Sequence, residues 1–157
     1  MSSVSFTVYG DPKGKARPKF AKIGNFMRSY QTKKQDSVEN YVKLAYLEAA
    51  KGVYLTGALS MKVIAFFQIP KSVSKKKRDE MLAGIIRPLV KPDYDNIVKS
   101  VADALNKVAY DDDKQIVSGS FDKFYYDRAR TEIEIKTTGI IKNASIDFED
   151  NKIRLKF

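Results

Sequence analysis

The stretch from Val90 to Gln115, VKPDYDNIVKSVADALNKVAYDDDKQ, decides how the chain is read. It holds six aspartates and no glutamate, in a chain whose formal net charge is +10. Ile97, Val101, Leu105 and Val108 recur at helical spacing, so the segment predicts an amphipathic helix with one flank turned to a core. Asp93 or Asp95 caps its start, because an aspartate there accepts from the free amides of the first turn. Asp93 and Asp95 stand two apart, and in an extended entry such residues project to the same side. Lys99 lies one turn beyond Asp95, and Asp103 one turn beyond Lys99, along a polar row away from Val101 and Leu105. Asp111, Asp112 and Asp113 follow in a loop and rejoin that row only through tertiary folding.

Carboxylates gathered within a few ångströms raise each other's pKa unless a cation sits between them. Aspartate suits such a site because its short side chain holds the carboxylate close to the backbone. The chain has no histidine and no cysteine. Disulfides, zinc-thiolate sites, cysteine nucleophiles, Ser-His-Asp triads and the histidine base of HNH-type nucleases are therefore excluded. A metal here must be held by oxygen, which favours magnesium, manganese or calcium. Such a cation activates water and supports in-line displacement at phosphorus, with Lys99 offsetting charge in the transition state.

Simpler explanations exist for each acid alone. Asp93 and Asp95 serve as caps, Asp95, Lys99 and Asp103 as a surface ion ladder, and Asp111 to Asp113 as an acidic turn. Their concentration in a basic chain favours the metal site. An EF-hand lacks its glycine after Asp93 or Asp111, and Gly10 to Lys15 lacks the spacing of a P-loop. A nearer rival is the PD…(D/E)-x-K nuclease pattern, imitated by Pro92-Asp93 and Asp112-Asp113-Lys114. It shares Asp93 but gives the catalytic lysine to Lys114.

Outward from this stretch, Ser3 to Tyr9 alternates with Val4, Phe6 and Val8 on one face, a half-buried strand. Gly10 to Lys34, GDPKGKARPKFAKIGNFMRSYQTKK, reads as a basic loop in which Phe20, Phe26 and Tyr30 interleave with cations. That mixture suits phosphate contact and base stacking. From Asp36 a helix follows, with Val38, Tyr41, Val42, Ala45 and Ala49 in register and Gly52 as its stop. Leu59 to Ile69 is a strand ended by Pro70. SVSKKKRDEMLAG is a short helix capped by Ser72 or Ser74 and closed by Gly84. Its Lys75, Lys76, Lys77 and Arg78 form a solvated face, or a backbone clamp if a phosphate lies near. Gln115 to Tyr126 and Ala129 to Thr137 are two further strands, and ASIDFEDNKIRLKF is a hairpin about Asp150-Asn151. The fold class is α+β, a small mixed sheet with two to three helices in a single domain.

Lys and Arg outnumber Asp and Glu by 29 to 19, a field that attracts polyanions, nucleic acid first and an anionic membrane surface second. No apolar run approaches the ~18 residues of a membrane span. The N-terminus, MSSVSFTVYG, lacks the features of a signal peptide, so a cytoplasmic location follows by default.

The run KPDYDNIVKSVADALN, then Tyr110, then Asp112-Asp113-Lys114-Gln115-Ile116 resembles the signature of RusA-type Holliday-junction resolvases, in their phage and prophage branch. That signature reads K-P-D-x-D-N-[LI]-x-K-x-[VL]-x-D-A-L-N, then an aromatic and D-D-x-Q-[IV], and every position is filled. The resemblance extends back through IPKSVSKKKRDEMLAG and KGKARPKF, covering about residues 4 to 136. It implies a RusA-like endonuclease domain over residues 1–137, with 138–157 a C-terminal extension, a hairpin packed on the same domain. It implies that Asp93, Asp95 and Asp113 are catalytic metal ligands, with Asp112 their companion and Lys99 the essential lysine. Asn96 and Asp103 brace the site, and Asp111 matches no family acid. The family is homodimeric and magnesium-dependent, with manganese as substitute, and places paired nicks across four-way DNA junctions. Lys13, Lys15, Arg17, Lys19 and the Lys75 to Arg78 run are the expected DNA contacts. A non-catalytic module gripping branched DNA is the alternative from another class.

Overall fold

The computed structural model describes residues 2–15 and 38–138 in full, and the backbone alone of residues 19–23, 26–30, 33–37, 145–149 and 152–156. In chain order the elements are β1 (Ser3–Tyr9), β2 (Lys19–Ile23), β3 (Phe26–Tyr30), α1 (Lys33–Ala50), β4 (Leu59–Gln68) and α2 (Lys75–Leu82). Then come α3 (Tyr94–Leu105), a single 3-10 turn at Asp113–Gln115, β5 (Ile116–Tyr126), β6 (Arg130–Thr137), β7 (Ser145–Glu149) and β8 (Lys152–Lys156).

β4 sits inside a four-stranded mixed sheet of order β1-β6-β4-β5. It runs antiparallel to β6 and parallel to β5, and β1 extends β6 antiparallel. The parallel pair requires a crossover, and the chain supplies one containing α2 and α3. Leu59, Met61, Val63 and Ala65 alternate with more exposed neighbours and are themselves exposed by 2% or less. α1 and α3 pack over that face, and their apolar side chains complete one core with Val4, Phe6, Ile133 and Ile135. On the other face Phe66 and Phe124 stack with centroids 5.9 Å apart, beneath the guanidiniums of Arg130 and Arg87.

β5 is an edge strand, and the segment between α2 and α3 rounds that edge. Gly84 and Arg87 lie against Phe124 on the open face, and Arg87 Nε donates to the Lys123 carbonyl at 2.5 Å. Val90 and Pro92 are then held from the helix face by Lys123. Wrapping an edge in this way occupies groups that would otherwise pair with a foreign strand.

Two sequence expectations meet a different outcome. The basic loop contains a hairpin, because β2 and β3 pair antiparallel with Ile23 opposite Phe26. KFAKI and FMRSY separated by Gly24-Asn25 carry the two-residue hairpin signal, which the density of charge obscures. α3 ends at Leu105, so Val108 joins the core from the following turn, where Lys107 adopts a φ of +62°. Elsewhere Ser74 caps α2 by accepting from the Lys77 amide, and Gly84 follows its end with φ +74°. β7 pairs with β8 from Glu149 to Lys152 as expected. The turn residues Asp150 and Asn151 lie outside the described residues, as do Arg17 and the side chains of Lys19, Phe20, Phe26 and Tyr30.

A methyl group on Gly119 of β5 would meet the Met61 carbonyl oxygen of β4 at 2.5 Å. Gly119→Ala is therefore expected to lower stability by about 1–3 kcal/mol in urea unfolding, by forcing the parallel pair apart.

Candidate active site

Ile97, Val101 and Leu105 of α3 are exposed by 4% or less. Burying each contributes about 1.5–3 kcal/mol, whereas a surface i,i+4 ion pair is worth ~0.2–0.5 kcal/mol. Burial therefore sets the rotation of the helix, and the Asp95–Lys99–Asp103 row turns away from the core. Asp95 and Lys99 are exposed and Asp103 is half-buried. Asp93 occupies the N-cap with extended backbone angles, yet its side chain makes no capping hydrogen bond. Among the described residues no hydrogen bond or ion pair engages the side chains of Asp93, Asp95, Lys99 or Asp113.

The start of α3 is held from two sides. Beneath it, Lys123 Nζ of β5 donates to the carbonyls of Val90 at 2.5 Å and Pro92 at 2.9 Å. Above it, the segment after β1 crosses the helix. The Lys15 amide donates to the Asn96 carbonyl at 3.1 Å, and the Lys15 ammonium pairs with Asp103. Gly14 fits between them because a Cβ there would meet Asn96 and Pro92 at 2.9 Å.

The three consecutive aspartates separate by task. Asp111 accepts from the Tyr54 hydroxyl at 2.9 Å and from Lys107 at 3.3 Å, and these partners hold its carboxyl below the usual range. Asp112 caps the 3-10 turn by accepting from the Lys114 amide at 3.1 Å. Gln115 closes the turn by accepting from the amides of Asp111 and Asp112, while its own amide donates to the Gly57 carbonyl at 3.0 Å. Asp113 is carried to the flank of α3 near Tyr110. That tyrosine is fully buried and donates to the Ala102 carbonyl at 2.9 Å. Burial, then the negative charges of Asp113 and Asp103, push its hydroxyl well above the ordinary tyrosine range.

A family model described as the endodeoxyribonuclease RusA matches residues 9–136. The chain belongs to the RusA endodeoxyribonuclease family. A Bacillus subtilis relative, the uncharacterized protein YqaN, is 38% identical over 138 residues, spanning 87% of this chain and 97% of its own length. RusA-family nucleases generally depend on a divalent metal, and the donors here are of the right kind, hard oxygens on short side chains. Among the described residues, no group of three acids is gathered closely enough to hold a metal ion. The donor chemistry thus fits at Asp93 and Asp95, while a complete cage is not assembled.

Measured against the RusA signature, Asp93, Asp95, Asn96 and Lys99 stand together in the first turns of α3, and the 3-10 turn that carries Asp113 packs against that helix. Asn96 and Asp103 both contact the crossing segment. Of the expected DNA contacts, Lys15 is paired with Asp103 and Arg78 with Asp127. Lys75, Lys76 and Lys77 are exposed on α2. Lys13 borders a cavity of about 110 Å³ beneath the segment after β1, with Asp11, Tyr41 and Ser100. Among the described residues no helix is long and apolar enough to cross a membrane.

Sequence reasoning gave no role to Gly14, Tyr54, Gln115 or Lys123. The last had a readable signal, a lysine between Phe121 and Tyr125 on the face of the strand that meets the core.

Tyr110→Phe removes one buried hydrogen bond and is expected to cost about 1 kcal/mol near neutral pH. The unfolded chain ionises this tyrosine near its ordinary value of 10.0 while the fold keeps it neutral, so its contribution is present below that pH and is lost above it. Urea unfolding at pH 8 and pH 10.5 is expected to show the gap between wild type and Tyr110→Phe narrowing at the higher pH.

Proposed function

We propose that this RusA-family chain is a magnesium-dependent, structure-specific endonuclease that resolves four-way DNA junctions by paired symmetric nicks in recombination and repair. The observation that supports this reading best is the first part of α3, where Asp93, Asp95 and Lys99 are offered together and unengaged among the described residues. Asp93 and Asp95 are the residues that would hold the cation, with Asp113 the third ligand and Asp112 beside it. When bound, a divalent cation supplies a Lewis acid that eases deprotonation of water and offsets charge on a phosphate. Lys99 sets its ammonium one turn from Asp95, where it meets the charge that develops on the phosphoryl oxygens. The surface cations of α2, Lys75 to Lys77, draw the DNA arms in and raise the local concentration of phosphate. A four-way junction presents two equivalent strands, so a two-fold dimer addresses both at once. Sedimentation is expected to give twice the 17.8 kDa mass of the chain.

Cleavage of a synthetic four-way junction tests the proposal. Symmetric nicks with magnesium or manganese, lost in Asp95→Asn, are expected; intact junctions under every metal condition would leave only a binding module. Lys99→Ala is expected to lower the single-turnover rate by about a hundredfold or more, comparable to removing one donor that stabilises transition-state charge. Lys114, exposed and 4.0 Å from Asp112, is expected to tolerate alanine within about threefold, since a surface cation of this kind contributes little. The reverse order would transfer the chemistry to the PD-(D/E)-x-K pattern.

A further inference from the structure

Taking the acids of α3 as the cutting site, as proposed above, we infer that Lys123 is a positioning residue for Asp93, fixing the turn that delivers its carboxylate. Lys123 lies opposite Ala65 on the sheet face that α3 covers, at a position where its neighbours Phe121 and Phe67 pack against the core. Drawing an ammonium toward a core is costly unless its donors are answered. Among the described residues no carboxylate answers them. Two backbone carbonyls do, Val90 at 2.5 Å and Pro92 at 2.9 Å, with the Phe67 ring 5.0 Å away.

Those carbonyls flank Lys91 and Pro92 and immediately precede Asp93. The segment they belong to lies outside any helix or strand, so a sheet or helix ladder does not set its course. The Asp93 side chain, free of any capping bond, does not anchor itself either. The direction of its carboxylate therefore follows from the path of the backbone, and Lys123 ties that path to the central sheet. A hydrogen bond from a charged donor is stronger than one between neutral groups, enough to select one course of a short turn. A lysine here thus connects the central sheet to the turn ahead of the acid pair, without touching the reacting atoms.

The test uses the full chain as wild type, Lys123→Met, Lys123→Gln and Lys123→Arg. Manganese affinity is measured by calorimetry without DNA, junction affinity in calcium, and single-turnover cleavage with magnesium. Lys123→Met keeps the apolar stem and removes all donors. It is expected to weaken manganese binding and slow cleavage by about 10–100-fold each, the range for groups that orient a metal-binding side chain. Junction affinity is expected to stay within about twofold, because the phosphate-binding surface is unchanged. Lys123→Arg, which can still donate to both carbonyls, is expected to recover most of the loss, and Lys123→Gln to fall between. If Lys123→Met does not fold, the Gln and Arg variants decide the matter by the same order. Wild-type manganese affinity and cleavage in Lys123→Met or Lys123→Gln would overturn the inference while leaving the nuclease reading intact. A wild type that cuts nothing would instead sink the nuclease reading, and the manganese titrations would still judge Lys123.

Discussion

Everything at this site depends on one burial. The flank of α3 formed by Ile97, Val101 and Leu105 is pressed against the sheet, and no rotation of the helix keeps those side chains dry while moving the opposite row. The energy of that contact is several times that of any ion pair on the surface. The row of Asp95, Lys99 and Asp103 is therefore placed by residues that take no part in chemistry. β4 supplies the surface they press on, and its pairing with β5 on one side and β6 on the other gives that surface its rigidity.

The same arrangement explains how a strongly basic chain keeps an acidic patch. Charge is sorted by element: cations lie on α2 and in the segment after β1, and aspartates at the ends of α3. Where the two meet, at Lys15 and Asp103, they neutralise one another and tie two elements together. Farther away, Lys75, Lys76 and Lys77 on α2 and Asp93 and Asp95 at the start of α3 make no ion pair among the described residues. Long-range attraction to such cations falls with salt, whereas the local geometry of the acids does not depend on it.

Much of this was legible in the residues. The alternation of Ser3 to Tyr9, the strand formers of Leu59 to Ile69, the stripe of α3 and the cap at Ser74 each express a local rule, and each element formed within about a turn of where that rule put it. The family was legible too, because its signature lies in a contiguous run. Interactions between distant segments were not. The partnership of Lys15 with Asp103 spans 88 positions, and that of Lys123 with Val90 spans 33. No spacing rule reaches so far. Asp112 shows the converse, a motif aspartate whose work as the cap of a one-turn helix the motif does not announce. The hairpin of β2 and β3 was missed for a different reason, its charges suggesting solvent where its alternation specified pairing.

The close seat of Gly14 against Pro92 and Asn96 has a consequence for how two distant segments are held together. The chain that leads to the β2–β3 hairpin is rooted on the helix bearing the acids, and it returns through α1, which is packed on that helix as well. Both roots of the hairpin segment are thus fixed to the helix bearing the acids. A side chain at position 14 would press on the helix start itself, so the course of this segment and the direction of the helix bearing the acids are set together. The acids and the basic segment that crosses them are thereby joined at a single glycine.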